Sequence, residues 1–170
     1  FVQKLDRSSA ALRDGTVDLE TGVMGAATEP ELRVQTLFRD RLVGVVRTGH
    51  PLSKGKMTPA RYAAGRHVAV SRRGLDAGPI DEALRPLGLE RNVVTIVGGF
   101  ATALALARDT DLIASVPERH TGALRAGMRT FPLPVATPAL TISMLWHPRL
   151  HADPAHQWLR RCMKDVAASS

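Results

Sequence analysis

Six short runs rich in β-branched and apolar residues recur along the chain: Val17–Val23, Leu42–Val46, His67–Ser71, Asn92–Val97, Leu112–Ser115 and Leu140–Trp146. Runs this short and this branched read as buried strands. The segments between them carry helix ends. Thr58-Pro59 is an N-cap followed by proline at the first helical position, and Gly65 can close that helix. Asp76 to Leu87 reads as a second helix with Ile80, Leu84 and Leu87 on one face, stopped by Pro86 and Gly88. Asp153-Pro154 starts a last helix, whose Trp158, Leu159, Cys162, Met163 and Val166 are expected to form one buried face. Its tail, Ala167 to Ser170, is expected to fray. Strands alternating with helices predict α/β layers around a largely parallel sheet.

A chain of 170 residues fits one domain or two small lobes and can bury a core without staples. Cys162 is the single cysteine, which excludes an internal disulfide and fits a reducing compartment. No apolar run reaches the ~20 residues that a membrane helix needs. Phe1-Val-Gln-Lys-Leu-Asp has no basic start followed by an apolar run, so it does not read as a secretory signal. The net charge of +7 comes from 19 arginines and four lysines against 16 acids. The longest basic runs are pairs, Arg72-Arg73 and Arg160-Arg161, with no aromatic residues interleaved. That pattern reads as a solvated basic surface rather than a nucleic-acid footprint. His147, His151 and His156 have no cysteine or carboxylate to complete a metal set, and Pro148 interrupts their helical spacing. His50 before Pro51 reads as a turn or strand-end residue rather than a base, and Cys162 as a buried thiol. No phosphate loop, dinucleotide fingerprint or nucleophile elbow occurs, so neither a cofactor nor an enzymatic activity is expected.

A faint internal repeat is present. Ala11-Leu-Arg-Asp-Gly-Thr-Val-Asp-Leu19 is a helix end, a turn and a strand start, and Leu106-Ala-Arg-Asp-Thr-Asp-Leu112 repeats the order with two residues fewer. It predicts two similar α/β lobes. The expected boundaries are residues 1–48 with 139–170 for the first lobe and 49–138 for the second.

Several segments resemble a known family when taken in order. Leu12-Arg-Asp-Gly-Thr-Val-Asp-Leu19 resembles the "L..G.lDl" signature of LysR-type transcriptional regulators. Pro30-Glu-Leu follows, and then Leu37 to Leu52, which ends in the family's "r..HPL". His67–Ser71, Phe100 with its alanine-rich helix, Asp111–Pro117, Leu145–Arg149 and Asp153–Arg160 complete the order. The resemblance is to the effector-binding domain, closest in the nodulation- and naphthalene-regulator branch, and spans essentially the whole chain. It implies a two-lobed, periplasmic-binding-protein-like (type 2) α/β fold with Rossmann-like lobes, the first incomplete at its N-terminus. It also implies a cytoplasmic regulator whose DNA contacts come only from an N-terminal winged helix-turn-helix that this stretch lacks. A small-molecule effector, leaning toward an aromatic carboxylate or a phenolic, would sit between the lobes. The family assembly implies a homodimer, tetrameric at full length, pairing helix Asp6–Asp14 of one chain with helix Ala101–Asp109 of the other. The alternative on the same architecture is a secreted solute-binding protein.

Candidate contacts are the residues that follow strands, because ligands of open α/β folds sit beyond strand carboxyl ends. Gly98-Gly99-Phe100-Ala-Thr102 comes first: two glycines for close backbone approach, a helix start that suits an anion, an aromatic wall and a hydroxyl. Ser71 and Arg72 could hold a carboxylate. Thr21, Gly22, Val23 and Met24 end the first-lobe strand, with Met24 as adaptable filler. Ser115, Val116 and Pro117 end another strand.

Overall fold

The computed structural model describes residues 10–23, 31–71 and 77–169. Its elements run α1 (Ala10–Asp14), β1 (Glu20–Val23), β2 (Arg33–Asp40), β3 (Leu42–Arg47), α2 (Pro59–Ala63), β4 (Arg66–Val70), α3 (Pro79–Leu84), β5 (Asn92–Val97), α4 (Phe100–Asp109), β6 (Leu112–Pro117), β7 (Met128–Pro132), β8 (Leu140–Trp146) and α5 (Pro154–Ser169), with four 3₁₀ turns between them. The chain divides into two units, Phe1–Asp40 with Leu140–Ser170 and Arg41–Ala139.

In the first unit β8 is the middle strand, antiparallel to both β1 and β2. Leu12, Leu32 and Leu145 form its small core, with Val17 packed against them. Gly15, at φ 89, ends α1 in the left-handed region. The freed carbonyls of Leu12 and Arg13 each accept from Arg149 Nη1 at 2.8 Å. Asp153 caps α5 by accepting the His156 N–H at 2.7 Å. The expected buried face of that helix is displaced. Trp158 and Val166 are 61% and 66% exposed, whereas His156, Arg160 and Ala167 are buried. Arg160 explains the rotation: its guanidinium donates to the carbonyls of Leu150 and His151 and lies 4.5 Å from the Trp146 ring centroid. Burial of Ala167 also keeps helical the end that was expected to fray, through Ser169.

The second unit is a five-stranded sheet in the order β5-β4-β6-β3-β7. Only β4 pairs in parallel, with β5 on one side and β6 on the other; β3 is antiparallel to β6 and β7. The largely parallel sheet is therefore corrected to a mixed one. Strand Leu42–Arg47, placed in the first lobe by the expected boundary at residue 48, is hydrogen-bonded inside this second sheet. Two strands without strong apolar runs, β2 and β7, went unread. The expected helix over 76–87 is α3 followed by a 3₁₀ turn, Arg85–Leu87, which leaves Leu87 54% exposed.

Strand alternation splits the core of this unit. Val43, Val45, Val68, Ala114 and Val116 pack with Leu104 and Ala107 of α4. Val46 and Ile113 pack with Tyr62, Ala63, Ile80 and Leu84 of α2 and α3 on the other face. Gly44 has to be glycine, since a Cβ would sit 2.3 Å from the Phe131 ring. His67 is fully buried against Tyr62, edge to face at 4.6 Å. Its Nε2–H donates to the Tyr62 carbonyl at 2.8 Å, and Nδ1 has no partner among the described residues.

Burial, with the Arg91 charge adding to it, pulls the His67 pKa from 6.5 to about 4 against the opposing bond to Tyr62. The unfolded chain takes up this proton near its ordinary pKa and the native chain does not. The resulting stability is full above pH 6.5 and is lost as pH falls from there toward about 4. The slope for this one proton is at most about 1.4 kcal/mol per pH unit. Urea denaturation at stepped pH should show the decline, and His67→Gln should flatten it. The same slope in the variant would assign the titration to another group.

Candidate functional site

The parallel register of β4 with β5 and β6 brings three strand ends to one edge. Val70 lies opposite Val97, and Val68 opposite Ala114. Continuing the register sets Ser71 beside the Gly98 end of β5 and level with Pro117 of β6. Ser71 N–H donates to Val97 O at 2.9 Å, which fixes the first of these neighbours. The edge thus gathers Ser71, Gly98, Gly99, Phe100 and Pro117, with Thr102 exposed on the first turn of α4.

Gly98 and Gly99 were expected to permit close backbone approach. Neither has a left-handed φ, and Gly99 is extended at φ −156. A Cβ added to either would meet no atom of the described residues within 4 Å. The chain's own packing therefore demands glycine at neither position, in contrast to Gly44. Gly99 is the N-cap of α4 and has no side chain of its own with which to cap the helix. The first N–H groups of a helix have no partner within it, and those of α4 lie at this edge. Phe100 is half-buried, its inner side packed against the Val43–Val116 core.

Ser115 has a partner within the core. Strand alternation puts it on the same face as Ile113, where its hydroxyl bonds the Tyr62 hydroxyl at 2.7 Å. Tyr62 is fully buried and its hydroxyl needs a partner in the core, so Ser115 serves α2 rather than the edge. Beneath the same face Arg91 donates to Asp81 at 2.7 and 2.6 Å. Burial raises the Asp81 carboxyl, but the Arg91 contacts and the Gly78 N–H outweigh it and hold the pKa low. Asp81 accepts that Gly78 N–H at 2.7 Å and so anchors the chain where it rejoins α3.

Thr21 and Gly22 lie in β1 of the first unit, Thr21 exposed and opposite Met144, Gly22 opposite Ser143. A Cβ on Gly22 also meets nothing within 4 Å among the described residues. Met24 and Arg72 lie outside the described residues. Two of the three histidines near the C-terminus bond the backbone. His147 caps a 3₁₀ turn by accepting the Arg149 N–H, and His156 Nε2 donates to Asp18 O at 2.9 Å. Among the described residues no three His, Cys, Asp or Glu side chains could together hold a metal ion. No described helix is long and apolar enough to cross a membrane.

One residue at the edge went unread. His120 stands three residues past Pro117, and its ring meets Phe100 edge to face, with centroids 6.1 Å apart at 72°. Its position in the turn directly after a strand end was the available signal.

A family model described as the LysR substrate binding domain matches residues 2–168. The HTH-type transcriptional activator NahR of Pseudomonas putida is 32% identical over 162 residues, covering 92% of this chain and 52% of that protein. The chain spans about half the length of the curated relatives it matches. The crystal structure of a probable transcriptional regulator from Pseudomonas aeruginosa superposes with a TM-score of 0.83 at 29% identity, covering 96% of this chain and 56% of that one. The effector binding domain of QuiR in complex with shikimate shares the fold, with a TM-score of 0.71 at 16% identity, covering 94% of this chain and 76% of that one.

The glycines give a direct test. Gly98→Ala should leave thermal stability unchanged or raise it by about 0.4–1 kcal/mol, as Gly→Ala does at a compatible backbone. Gly99→Ala, at a helix N-cap where glycine outranks alanine, should cost less than about 1 kcal/mol. Gly44→Ala should cost about 1–3 kcal/mol by overpacking against Phe131. A loss at Gly99 equal to that at Gly44 would show that the fold itself requires that glycine.

Proposed function

The chain belongs to the LysR substrate binding domain family, and on that premise we propose that it is the effector-sensing part of a bacterial LysR-type DNA-binding transcriptional regulator. The observation that carries the reading is the edge at Ser71, Gly98, Gly99, Phe100 and Thr102. Its two glycines, unfilled by any described residue, and the glycine-led start of α4 suit the carboxylate of a small organic acid. An aromatic acid or a phenolic would also use the Phe100 ring. The shikimate complex of the QuiR domain supports a cyclic carboxylate as the general class. The proposal extends to Thr21, Gly22, Met24 and Arg72 as further contacts. Ser115 drops out, and Pro117 contributes position rather than a polar group.

The effector acts by binding one conformation of the regulator more tightly than another, and shifts the population by no more than that difference. DNA is contacted by a separate domain of the full-length regulator, which works in the cytoplasm, and this portion carries out no catalytic step. Assembly is proposed as a homodimer in which α1, with the residues that precede it, meets α4 of a second copy. Ala101 and Ala105 form an exposed, small-residue surface on α4. Sedimentation at increasing concentration should show a dimer, and Ala105→Glu should shift it to monomer. A chain that stays monomeric at high concentration removes this part of the proposal.

The site is tested by calorimetric titration of benzoate, salicylate and shikimate. Thr102→Val keeps the shape and removes the hydroxyl, so affinity for a bound acid should fall by about 1 kcal/mol or more with the melting temperature little changed. Unchanged affinity in Thr102→Val and in Gly99→Val, with both folded, would place the ligand elsewhere.

A further inference from the structure

We propose that His120 is a specificity-determining residue of this edge, and that with Phe100 it forms an aromatic wall selecting a flat ring in the bound acid. The inference rests on the reading of the edge as the effector site and adds which part of the effector the protein distinguishes. The two rings come from separate elements, Phe100 from the start of α4 and His120 from the turn after β6, and they meet edge to face. Phe100 is fixed on its inner side by the core.

His120 is fixed by the turn that carries it. Glu118 N–H donates to Arg41 O at 2.9 Å, and Arg125 Nη2 donates to Glu118 O at 2.6 Å. Thr121, fully buried, donates its hydroxyl to Pro117 O at 2.5 Å, and Arg125 Nε in turn donates to Thr121 Oγ1 at 3.2 Å. Four bonds from both flanks of this exposed residue hold the turn that carries its ring. The ring pair stands at the start of α4, next along the chain from Gly99, and a Cβ on Gly98 or Gly99 would meet no described atom within 4 Å. A carboxylate on the α4 N–H groups would carry its ring past the glycines toward the pair. An arene can extend an edge-to-face cluster there through its quadrupole, and a saturated ring of the same size cannot.

The test compares benzoate with cyclohexanecarboxylate by calorimetric titration of the wild-type chain, His120→Leu, His120→Phe and Thr102→Val. Wild type should prefer benzoate by roughly fivefold, the scale of one aromatic contact. His120→Leu should bring the ratio near one and still bind both acids, because the helix start is intact. His120→Phe should restore the preference. Thr102→Val should weaken both acids equally and keep the ratio. A His120→Leu chain with the wild-type ratio, or a His120→Phe chain without it, overturns the role of His120 and leaves the site standing. Wild type that binds neither acid overturns the site reading and this inference together.

Discussion

The parallel pairing of β4 with both β5 and β6 is the constraint on which the second unit depends. A strand with parallel neighbours on both sides must be reached by crossovers, and here α3 and α4 supply them. The same geometry forces three carboxyl ends to one edge, whatever residues stand there. Side chains then decide which ends stay open. Ser115 is lost to the edge because a buried tyrosine needs its hydroxyl. Gly98 and Gly99 stay open because nothing described in the fold fills the space over them. The edge is therefore a consequence of topology, and its chemistry a consequence of what the core does not claim.

A second regularity joins local sequence to topology. In the first unit β8 pairs antiparallel with β1 on one side and β2 on the other; in the second, β3 pairs antiparallel with β6 and β7 in the same manner. Both β3 and β8 are followed by His-Pro, with the histidine Nδ1 accepting the N–H two residues on. An Asp-Leu pair lies at the start of both β1 and β6, just before β1 at Asp18-Leu19 and running into β6 at Asp111-Leu112, and in each case the aspartate carbonyl meets a histidine Nε2: His156 at Asp18 and His50 at Asp111. The sequence repeat around Asp18-Leu19 and Asp111-Leu112 is thus a repeat of how a strand start is pinned. His50 is a turn residue, as read from its place before Pro51, and a carbonyl clamp besides.

What was legible in the sequence follows the strength of local signals. Strands β5 and β8 match their runs at both ends, and Thr58 and Asp153 cap the helices they were expected to cap. Strands β2 and β7 were missed because Arg33, Arg39, Arg129 and Thr130 break the apolar pattern; pairing to β8 and β3 holds them, and pairing is not local. The face of α5 was misread for a related reason. Apolar spacing nominated Trp158 and Val166, but a guanidinium stacked on Trp146 and bonded to two carbonyls buries the Arg160 side instead. At the candidate site, chain position after a strand sufficed to find Ser71, Gly98, Gly99 and Phe100. The direction of the Ser115 side chain and the reach of His120 depend on contacts across the fold, and no run of residues encodes them.

The arginine excess has its own structural account. Arg149 holds the carbonyls that end α1, and Arg160 those of a 3₁₀ turn. Arg108 donates to Leu124 O and Ala126 O, Arg61 to Pro51 O and Lys56 O, and Arg125 to Glu118 O. A guanidinium offers five donors in a fixed fork, enough to satisfy two carbonyls at once, which a lysine ammonium on its flexible stem does less well. In these contacts the arginine neutralises no carboxylate, so each adds a positive charge to the chain while serving the backbone. Carbonyl capping of this kind accumulates net charge without building a phosphate-tracking surface. A positive total is therefore poor grounds for assigning nucleic-acid binding to this portion: several of the cations that produce it already have their donors committed inside the fold.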